Sequence, residues 1–339
     1  MKKIIKIVFV YTGLIIGAGF ASGREVFEYF NIYSKTSISG ILISAVLFAA
    51  ISCIILIKAS ESGISDFKAY VSSVAGKAAP AVLIFMLLYM FCGLFVMFSG
   101  SGALIYDMTP FSSFDGAVLM ALICFIVLSF DVKGIVVLNT ILVPFMIFGI
   151  LYVSTCVMFF KDITVFSPSY TLTFPMALSA VCYSAYNTVS AGAVLVPLSD
   201  GLSRRTVFLS TVISGVLIGG LILVVWLVQN MHTDIVSKSE LPMLTLSALC
   251  SKTCKRVYSG VLFCAICTTA VSNGFGIMSY FSDKIKTVGQ RVLFSAVICL
   301  AALPFSLYGF SNAVRNIYSV FGYIGFIWIL WIIFDRFKK

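Results

Sequence analysis

The positions of the charged residues constrain the fold of this chain most strongly. Only 11% of its 339 residues are charged, and they separate long stretches that carry no charge. A helix needs about 20 apolar residues to cross the hydrocarbon core of a bilayer, and most of these stretches reach that length. They lie between Lys6 and Arg24, Lys35 and Lys58, Lys77 and Asp107, Asp115 and Asp131, Lys133 and Lys161, Asp162 and Asp200, Arg205 and Asp234, Arg256 and Asp283, Arg291 and Arg315, and Arg315 and Asp335. The sequence therefore predicts an all-α integral membrane protein with ten transmembrane helices.

Composition disfavours several other classes of protein. The apolar stretches run continuously instead of alternating with a period of two, which argues against a β-barrel. The net charge of +10 comes from cations dispersed among the loops, so no nucleic acid is expected as a partner. Most of the ten cysteines lie inside predicted spans, where a free thiol behaves as a small apolar group. The expected partners are the lipid bilayer and a small-molecule solute.

The Lys and Arg residues of the loops predict the orientation of the chain. With a cytoplasmic N-terminus, 15 of the 23 fall on the cytoplasmic side, and both termini lie there. No linker interrupts the spans, so we interpret residues 1–339 as one transmembrane domain. Ten spans divide into halves of five, about residues 1–161 and 162–339. Because an odd number of spans reverses orientation, related halves would form an inverted repeat.

The first predicted span is rich in glycine. Gly13, Gly17, Gly19 and Gly23 fall close together, and each glycine in a helix interior costs about 1 kcal/mol relative to alanine. In a membrane, broken backbone persists only where it is buried in protein or lines a wet cavity. Freed carbonyls there can bind a cation, and the start of the following helical piece can bind an anion. The alternative is close helix packing, because Gly13 and Gly17 also form a G-x-x-x-G pair.

Three charged residues follow these glycines. Arg24, Glu25 and Glu28 lie near membrane depth, where charges are expensive and often functional. Glu25 and Glu28 are three residues apart, on one helix face, and are candidates for an outer gate or for proton coupling. Arg24 is a candidate partner for a carboxylate across that vestibule. The alternative is that these residues only mark the outer boundary of the first helix.

The sixth predicted span contains an unusual run of polar residues. Ser, Thr and Asn compete with the backbone hydrogen bonds of a helix, so the run predicts a second discontinuous helix that contributes to the same site. The alternative is that these groups hold neighbouring helices together. The residues are Tyr183, Ser184, Tyr186, Asn187, Thr188 and Ser190.

The eighth predicted span carries hydroxyl groups at helical spacing. Thr268, Thr269 and Ser272 offer oxygen ligands of the kind that a hard cation such as Na⁺ prefers. Hydroxyls that bond back to their own helix are the commoner explanation of such a pattern.

Signatures of enzymes are missing from the sequence. His232 is the only histidine, so a His-based catalytic triad or a His-ligated metal cluster is not available. No phosphate-binding loop with Gly-Lys-Ser or Gly-Lys-Thr occurs, which argues against ATP-driven transport by this chain. We therefore expect neither an enzyme nor a cofactor, apart from Na⁺ as a coupling ion.

The string from Ile16 to Val26 resembles the YkvI-type bacterial membrane proteins, relatives of the amino acid/polyamine/organocation transporters. The Val-Pro-Leu at 196–198 after the polar run of the sixth span agrees with that resemblance. It implies a LeuT-like fold with a 5+5 inverted repeat, discontinuous helices 1 and 6, and a substrate site between them. It also implies a location in the bacterial cytoplasmic membrane.

The resemblance further implies the residues of the site. Na⁺ would lie between the first-helix break and the hydroxyls of the eighth helix. Some proton-coupled relatives place a lysine of the fifth helix there, and residues 134–160 contain no lysine, which favours Na⁺. The substrate set is Gly17, Ala18, Gly19, Ala21, Ser22, Tyr183, Tyr186 and Asn187, and the Na⁺ set is Gly17, Phe20, Thr268, Thr269 and Ser272.

These inferences predict a secondary active transporter of an amino acid or similar small organic solute. It would work by alternating access and be coupled to a cation, with Na⁺ favoured over H⁺. The alternative function is a non-transporting receptor or sensor subunit on the same fold.

Overall fold

A computed structural model describes residues 2–130, 135–160, 171–281 and 284–336, and within these residues it contains helices and no strand. Short 3₁₀ turns lie at Asn31–Thr36, Gly76–Ala78, Val196–Ser199 and Pro304–Tyr308, and a π-helical turn lies at Ala313–Tyr318. The α-helices are α1 (Lys2–Ile15), α2 (Ala18–Ser22), α3 (Arg24–Tyr29), α4 (Ser37–Ser62), α5 (Phe67–Ala75), α6 (Ala79–Met108), α7 (Ser113–Ser129), α8 (Ile135–Phe160), α9 (Phe174–Leu195), α10 (Arg204–Met231), α11 (Thr233–Val236), α12 (Pro242–Cys250), α13 (Lys252–Tyr280), α14 (Val288–Ala302), α15 (Phe310–Asn312) and α16 (Ser319–Arg336).

Within the described ranges, 8 helical segments are long and apolar enough to cross a membrane. They include α4, α6, α8, α9, α10, α13, α14 and α16. Two of the ten predicted spans fall outside this set, because α7 has only 17 residues and the first helix is interrupted. Helix α7 nevertheless has a well-defined start, where Ser112 and Asp115 form a capping box. The chain is thus a multi-pass membrane protein, and the count of ten spans stays a prediction.

The first helix is broken, as its glycines predict. Helix α1 ends at Ile15, Gly17 adopts an extended conformation, and α2 begins at Ala18. A second interruption lies at Gly23, where φ is +81° and ψ is −5°. Residues with a Cβ atom rarely adopt this left-handed conformation, so glycine is the residue that permits it. The C-terminal part of the first predicted span therefore consists of two short helical pieces, α2 and α3.

The prediction that the sixth helix is discontinuous is wrong. Helix α9 runs without interruption from Phe174 to Leu195. The hydroxyls of Ser184 and Thr188 do not displace the backbone bonds but share the carbonyl oxygens of the preceding turn, and the side chain of Ser190 lies outside the described residues. Ser184 Oγ donates to Ala180 O at 2.9 Å, and Thr188 Oγ1 donates to Ser184 O at 2.6 Å. These bonds satisfy the hydroxyls inside the helix, so the polar run does not break it.

The broken first helix lies at the centre of the bundle. All residues of α2 and α3 are buried. Helices α10, α12 and α13, together with α9 and the π-helical turn, contact these two pieces. In contrast, large apolar side chains such as Leu42, Val46 and Phe208 are exposed on the outside, as expected of surfaces that face lipid. This arrangement places the interrupted backbone inside protein, which is the condition for its survival in a membrane.

Candidate functional site

Helix α13 lies against the interruption between α1 and α2. The amide of Ala18 donates to Thr269 Oγ1 at 3.4 Å. A Cβ atom added at Gly17 would lie 3.4 Å from the same oxygen. Thr269 therefore contacts the break, and Gly17 and Thr269 are the two members of the predicted Na⁺ set that come together.

The other members of the predicted Na⁺ set are used differently. Thr268 Oγ1 donates to Ala265 O, one turn earlier in its own helix, at 3.1 Å. The carbonyl of Phe20 accepts a hydrogen bond from the amide of Gly23 at 2.8 Å. Ser272 lies on α13, one turn beyond Thr268. The structure thus brings Thr269 to the break but does not gather the full set around one point.

A hydroxyl stabilises the junction between α2 and α3. Ser22 Oγ donates to Gly19 O at 2.7 Å and accepts from the amide of Arg24 at 3.2 Å. Ser22 is fully buried. Its hydroxyl is therefore occupied by backbone groups of the break itself, although the sequence placed it in the substrate set.

Side chains from two other helices satisfy the carbonyls of this segment. Tyr258 Oη on α13 donates to Ala21 O at 2.6 Å. Gln229 Nε2 on α10 donates to Gly23 O at 2.8 Å. Buried carbonyls without a partner are costly, so these two side chains hold α2 and its junction with α3 in place.

An ion-pair network joins α3 to the start of the tenth predicted span. Arg24 forms a salt bridge with Glu28 one turn later in α3. Arg315, in the π-helical turn, donates Nε to Glu28 Oε2 at 3.1 Å. Arg24 also donates to Ser239 O at 3.0 Å and lies 5.2 Å from the ring centroid of Phe27. The side chains of Arg24 and Glu28 are 4% and 5% exposed, so both charges are buried.

Glu25 takes no part in this network. Its carboxylate points back toward the break, where a Cβ atom added at Gly19 would collide with its Oε1 oxygen. The Tyr186 side chain is its polar neighbour. Oε2 of Glu25 and the hydroxyl of Tyr186 are nonetheless buried without a well-formed hydrogen bond to any described residue. Among the described residues, this carboxylate therefore has no cationic partner.

Several tyrosine rings pack against one another beside this carboxylate. The ring of Tyr186 lies 5.6 Å from that of Tyr29, 5.8 Å from that of Tyr183 and 5.2 Å from that of Tyr318, measured between centroids. Tyr89 joins the cluster 6.4 Å from both Tyr186 and Tyr318. We call these five residues the tyrosine cluster. It brings together α3, α6, α9 and the π-helical turn beside the break.

The predicted substrate set is thus only partly gathered. Gly17 to Ser22, Tyr183 and Tyr186 lie in or beside the break, whereas the amide nitrogen of Asn187 donates back to Tyr183 O at 3.0 Å. Five further residues contact the break or its neighbours and are not predicted from the sequence: Arg315, Gln229, Tyr258, Tyr29 and Tyr318. Arg315 could have been recognised, because it is a single cation between two long apolar stretches. A cation in that position is also what a loop between two spans would contain. Nothing in the sequence distinguishes Tyr29, Tyr258 and Tyr318 as site residues, because an aromatic residue in a span is usually a packing residue.

The chain is similar in sequence to two curated bacterial proteins. No protein-family profile matches the chain. The chain is 27% identical to the membrane protein YkvI of Bacillus subtilis over 322 residues, which cover 93% of this chain and 91% of YkvI. It is 23% identical to YyaD of the same organism over 320 residues, covering 91% and 90% of the two chains. The sequence resemblance to YkvI therefore extends over nearly the whole chain.

Solved structures of transporters share the fold. Mhp1 in its inward-facing conformation matches with a TM-score of 0.65 and 13% identity, over 92% of this chain and 72% of Mhp1. A Na⁺-coupled sialic acid symporter matches with a TM-score of 0.64 and 12% identity, over 96% and 78%. MhsT in complex with L-phenylalanine matches with a TM-score of 0.57 and 15% identity, over 95% and 87%. These neighbours are secondary transporters with the LeuT fold, not enzymes, and the likeness shows the fold of this chain.

Proposed function

We propose that this protein is a secondary active transporter that moves a small organic solute, such as an amino acid, across the membrane by alternating access. One observation carries the proposal: the broken first helix is buried at the centre of a multi-pass bundle and carries a buried carboxylate, Glu25, that has no cationic partner among the described residues. Interrupted helices at mid-membrane are where transporters bind substrates and ions, because the freed backbone groups are available there. The LeuT-fold neighbours, all transporters, support this proposal.

The proposal includes a membrane topology. Ten spans are reached when the broken helix α1–α3 and the short helix α7 are added to the 8 long segments. Two halves of five spans would then form an inverted repeat in which α9 corresponds to the first helix. The continuity of α9 means that the two halves differ at this point. Both termini would be cytoplasmic, in the cytoplasmic membrane of a bacterium.

Sodium is the coupling ion that we propose. Thr269 offers a hydroxyl oxygen beside the break, and oxygen ligands suit a hard cation. The Na⁺-coupled sialic acid symporter among the structural neighbours is consistent with this choice. The Na⁺ site would therefore lie at the contact between Gly17 and Thr269.

The network of Arg24, Glu28 and Arg315 would serve as an outer gate. Glu28 is shared between α3 and the π-helical turn, so separation of these elements would break the bond to Arg315 while Arg24 keeps Glu28 paired. π-helical turns occur frequently at functional sites, where the wider turn tolerates rearrangement. A gate of this kind opens without leaving a buried charge alone.

Uptake into proteoliposomes tests the proposed function. Purified protein would be reconstituted and assayed for uptake of radiolabelled amino acids and amines, with an inward Na⁺ gradient and with K⁺ in its place. Saturable uptake driven by the Na⁺ gradient is the expected result. If no solute is taken up although solutes bind, the protein is a sensor and not a transporter.

A further inference from the structure

Three cysteines from three helices lie together at one end of α12. Cys250, the last residue of α12, has the thiols of Cys156 on α8 and Cys254 on α13 as its hydrogen-bonding neighbours. All three are free thiols. We call these three residues the thiol cluster, and Cys250 is its central member.

The thiol of Cys250 is directed toward α8. Its Sγ atom lies 3.9 Å from the carbonyl oxygen of Val153, and Cys156 follows Val153 by three residues in the same helix. Residues three apart in a helix are neighbours on one face. Cys254, in contrast, belongs to the first turn of α13, where its amide donates to Ser251 Oγ at 2.9 Å. Cys156 is thus the thiol with which Cys250 can join α12 to α8.

Helix α12 covers the broken first helix. Met243, Leu244 and Leu246 of α12 are buried, and a Cβ atom added at Gly23 would lie 2.7 Å from Met243 Cγ. The same helix contacts α2, α3 and α8. Because α2 and α3 are themselves buried, a path to the break on this side of the bundle stays closed as long as α12 keeps its place.

From this geometry we propose that Cys156 and Cys250 form a disulfide that ties α12 to α8 and keeps α12 over the break. In the topology proposed above, the C-terminal end of α8 and the loop that contains α12 face the outside of the cell, where disulfides form and persist. The effect on transport rests on the proposed function, whereas formation of the bond depends only on the contact between the two thiols.

The bond forms by thiol–disulfide exchange with a small-molecule disulfide such as glutathione disulfide. One cysteine thiolate attacks the oxidant, which gives a mixed disulfide and releases one thiol. The second cysteine thiolate attacks the protein sulfur of that mixed disulfide, closes the Cys156–Cys250 bond and releases the second thiol. The two protein thiols are thereby oxidised, and the oxidant is reduced to two thiols that take up the two protons. Burial raises the pKa of the Cys250 thiol, so little of it is ionised at neutral pH and the reaction should take minutes to hours.

Peptide mapping tests the bond. The full chain, purified in detergent and freshly reduced, would be incubated with glutathione disulfide, blocked at its remaining thiols, cleaved with trypsin and analysed by mass spectrometry. The tryptic peptides that contain Cys156, Cys250 and Cys254 span residues 134–161, 239–252 and 253–255. We expect the first two peptides to be joined as the predominant product. Absence of this product, or a predominant bond between the second and third peptides, would overturn the proposal.

Hydrogen exchange tests the restraint on α12 without reference to transport. In the oxidised protein, amide exchange in residues 242–250 should be at least about fivefold slower than in the reduced protein, the lower end of the usual coupling between two sites. Cys156→Ser should show no difference between the two conditions. Cys264→Ser is the matched control and should respond as the wild type does, because Cys264 is an exposed thiol on α13 outside the thiol cluster. Equal exchange in oxidised and reduced wild type, a comparison that needs no variant, would refute the restraint.

Uptake into proteoliposomes separates this inference from the proposed function. Oxidation should lower uptake at least about fivefold, a reductant should restore it, and Cys156→Ser should be insensitive to both. A joined peptide pair with slower exchange, but without uptake in either state, would support the disulfide and reject transport. Equal uptake by oxidised and reduced protein, with the bond present, would reject the effect on the path to the break and leave transport standing.

Discussion

Arg315 donates its Nε to both carboxylate oxygens of Glu28, at distances of 3.2 and 3.1 Å. This contact joins the π-helical turn at Ala313–Tyr318 to α3, on the C-terminal side of the break. The two partners differ in environment, because the side chain of Arg315 is 55% exposed and that of Glu28 only 5%. Removal of the Glu28 charge should therefore affect the free energy of unfolding differently from removal of the Arg315 charge.

The first prediction concerns this difference. Glu28→Gln leaves Arg24 buried without its carboxylate, and the free energy of unfolding should fall by about 3–5 kcal/mol. Arg315→Gln leaves Glu28 paired with Arg24, and the loss should be about 1 kcal/mol or less. Arg204→Gln, which removes the exposed pair with Glu61, is a control with an expected effect of about 0–1 kcal/mol. Equilibrium unfolding in mixed detergent measures all three, and equal losses for Glu28→Gln and Arg315→Gln would contradict the shared role of Glu28.

The second prediction concerns the close approach of Gly19 and Glu25. In Gly19→Ala the new Cβ atom meets the Glu25 carboxylate, which must move, so we expect a stability loss of about 1–3 kcal/mol and a loss of ligand binding. Gly260→Ala is the matched control, because nothing lies within 4 Å of its added Cβ atom, and it should be neutral or stabilising by up to about 1 kcal/mol. Thermal unfolding and ligand titration provide the measurements.

A double variant identifies the cause of the Gly19→Ala effect. If the collision with Glu25 is responsible, Gly19→Ala should cost little in a Glu25→Ala background, since the side chain it meets is gone. The same loss in both backgrounds would show that the backbone at Gly19, and not the contact with Glu25, requires glycine.

The sequence predicts two interrupted helices, but only the first helix is interrupted in the structure. The two predictions have different physical grounds. Glycines weaken the helix backbone itself, and the first helix is broken where Gly17 and Gly23 lie. Ser184 and Thr188 act through side chains, which can bond within the helix and leave it intact. A weak helix backbone can thus be predicted from residue type. The hydrogen-bond partner that a side chain takes depends on the folded structure and cannot.

The composition of the site was less predictable than the fold. The charge spacing located most spans, because the thickness of the bilayer imposes one length on all of them. The contacts of Tyr258 with Ala21 and of Gln229 with Gly23 join residues more than 200 positions apart. Nothing local in the sequence marks either side chain as a partner of the break. Such pairings follow from helix packing and require the structure.

The third prediction tests whether Tyr258 holds the segment of residues 18–23, α2 and the following Gly23, in place. Tyr258→Phe removes the hydroxyl that donates to Ala21 O and leaves a buried carbonyl without a partner. The cost should be about 1–3 kcal/mol, and amide hydrogen exchange should accelerate between residues 18 and 23. Tyr106→Phe, at a tyrosine that is 68% exposed, should change stability by no more than about 0.5 kcal/mol. Unchanged exchange in residues 18–23 would show that the segment keeps its structure without Tyr258.

The last prediction separates the two threonines of α13. Thr269 Oγ1 faces the break at Ala18, whereas Thr268 Oγ1 donates to the carbonyl of Ala265. If Na⁺ binds between Gly17 and Thr269, Thr269→Val removes one ligand, and the Na⁺ concentration for half-maximal uptake should rise about tenfold, which corresponds to about 1.4 kcal/mol. Thr268→Val keeps the shape of its side chain and breaks only a bond within α13, so its effect should be clearly smaller. Equal shifts in both variants would contradict the assignment of Thr269, and uptake that is the same in Na⁺ and K⁺ would contradict coupling to Na⁺. Because valine matches threonine in shape, a difference between the variants reports on the hydroxyl groups and not on packing.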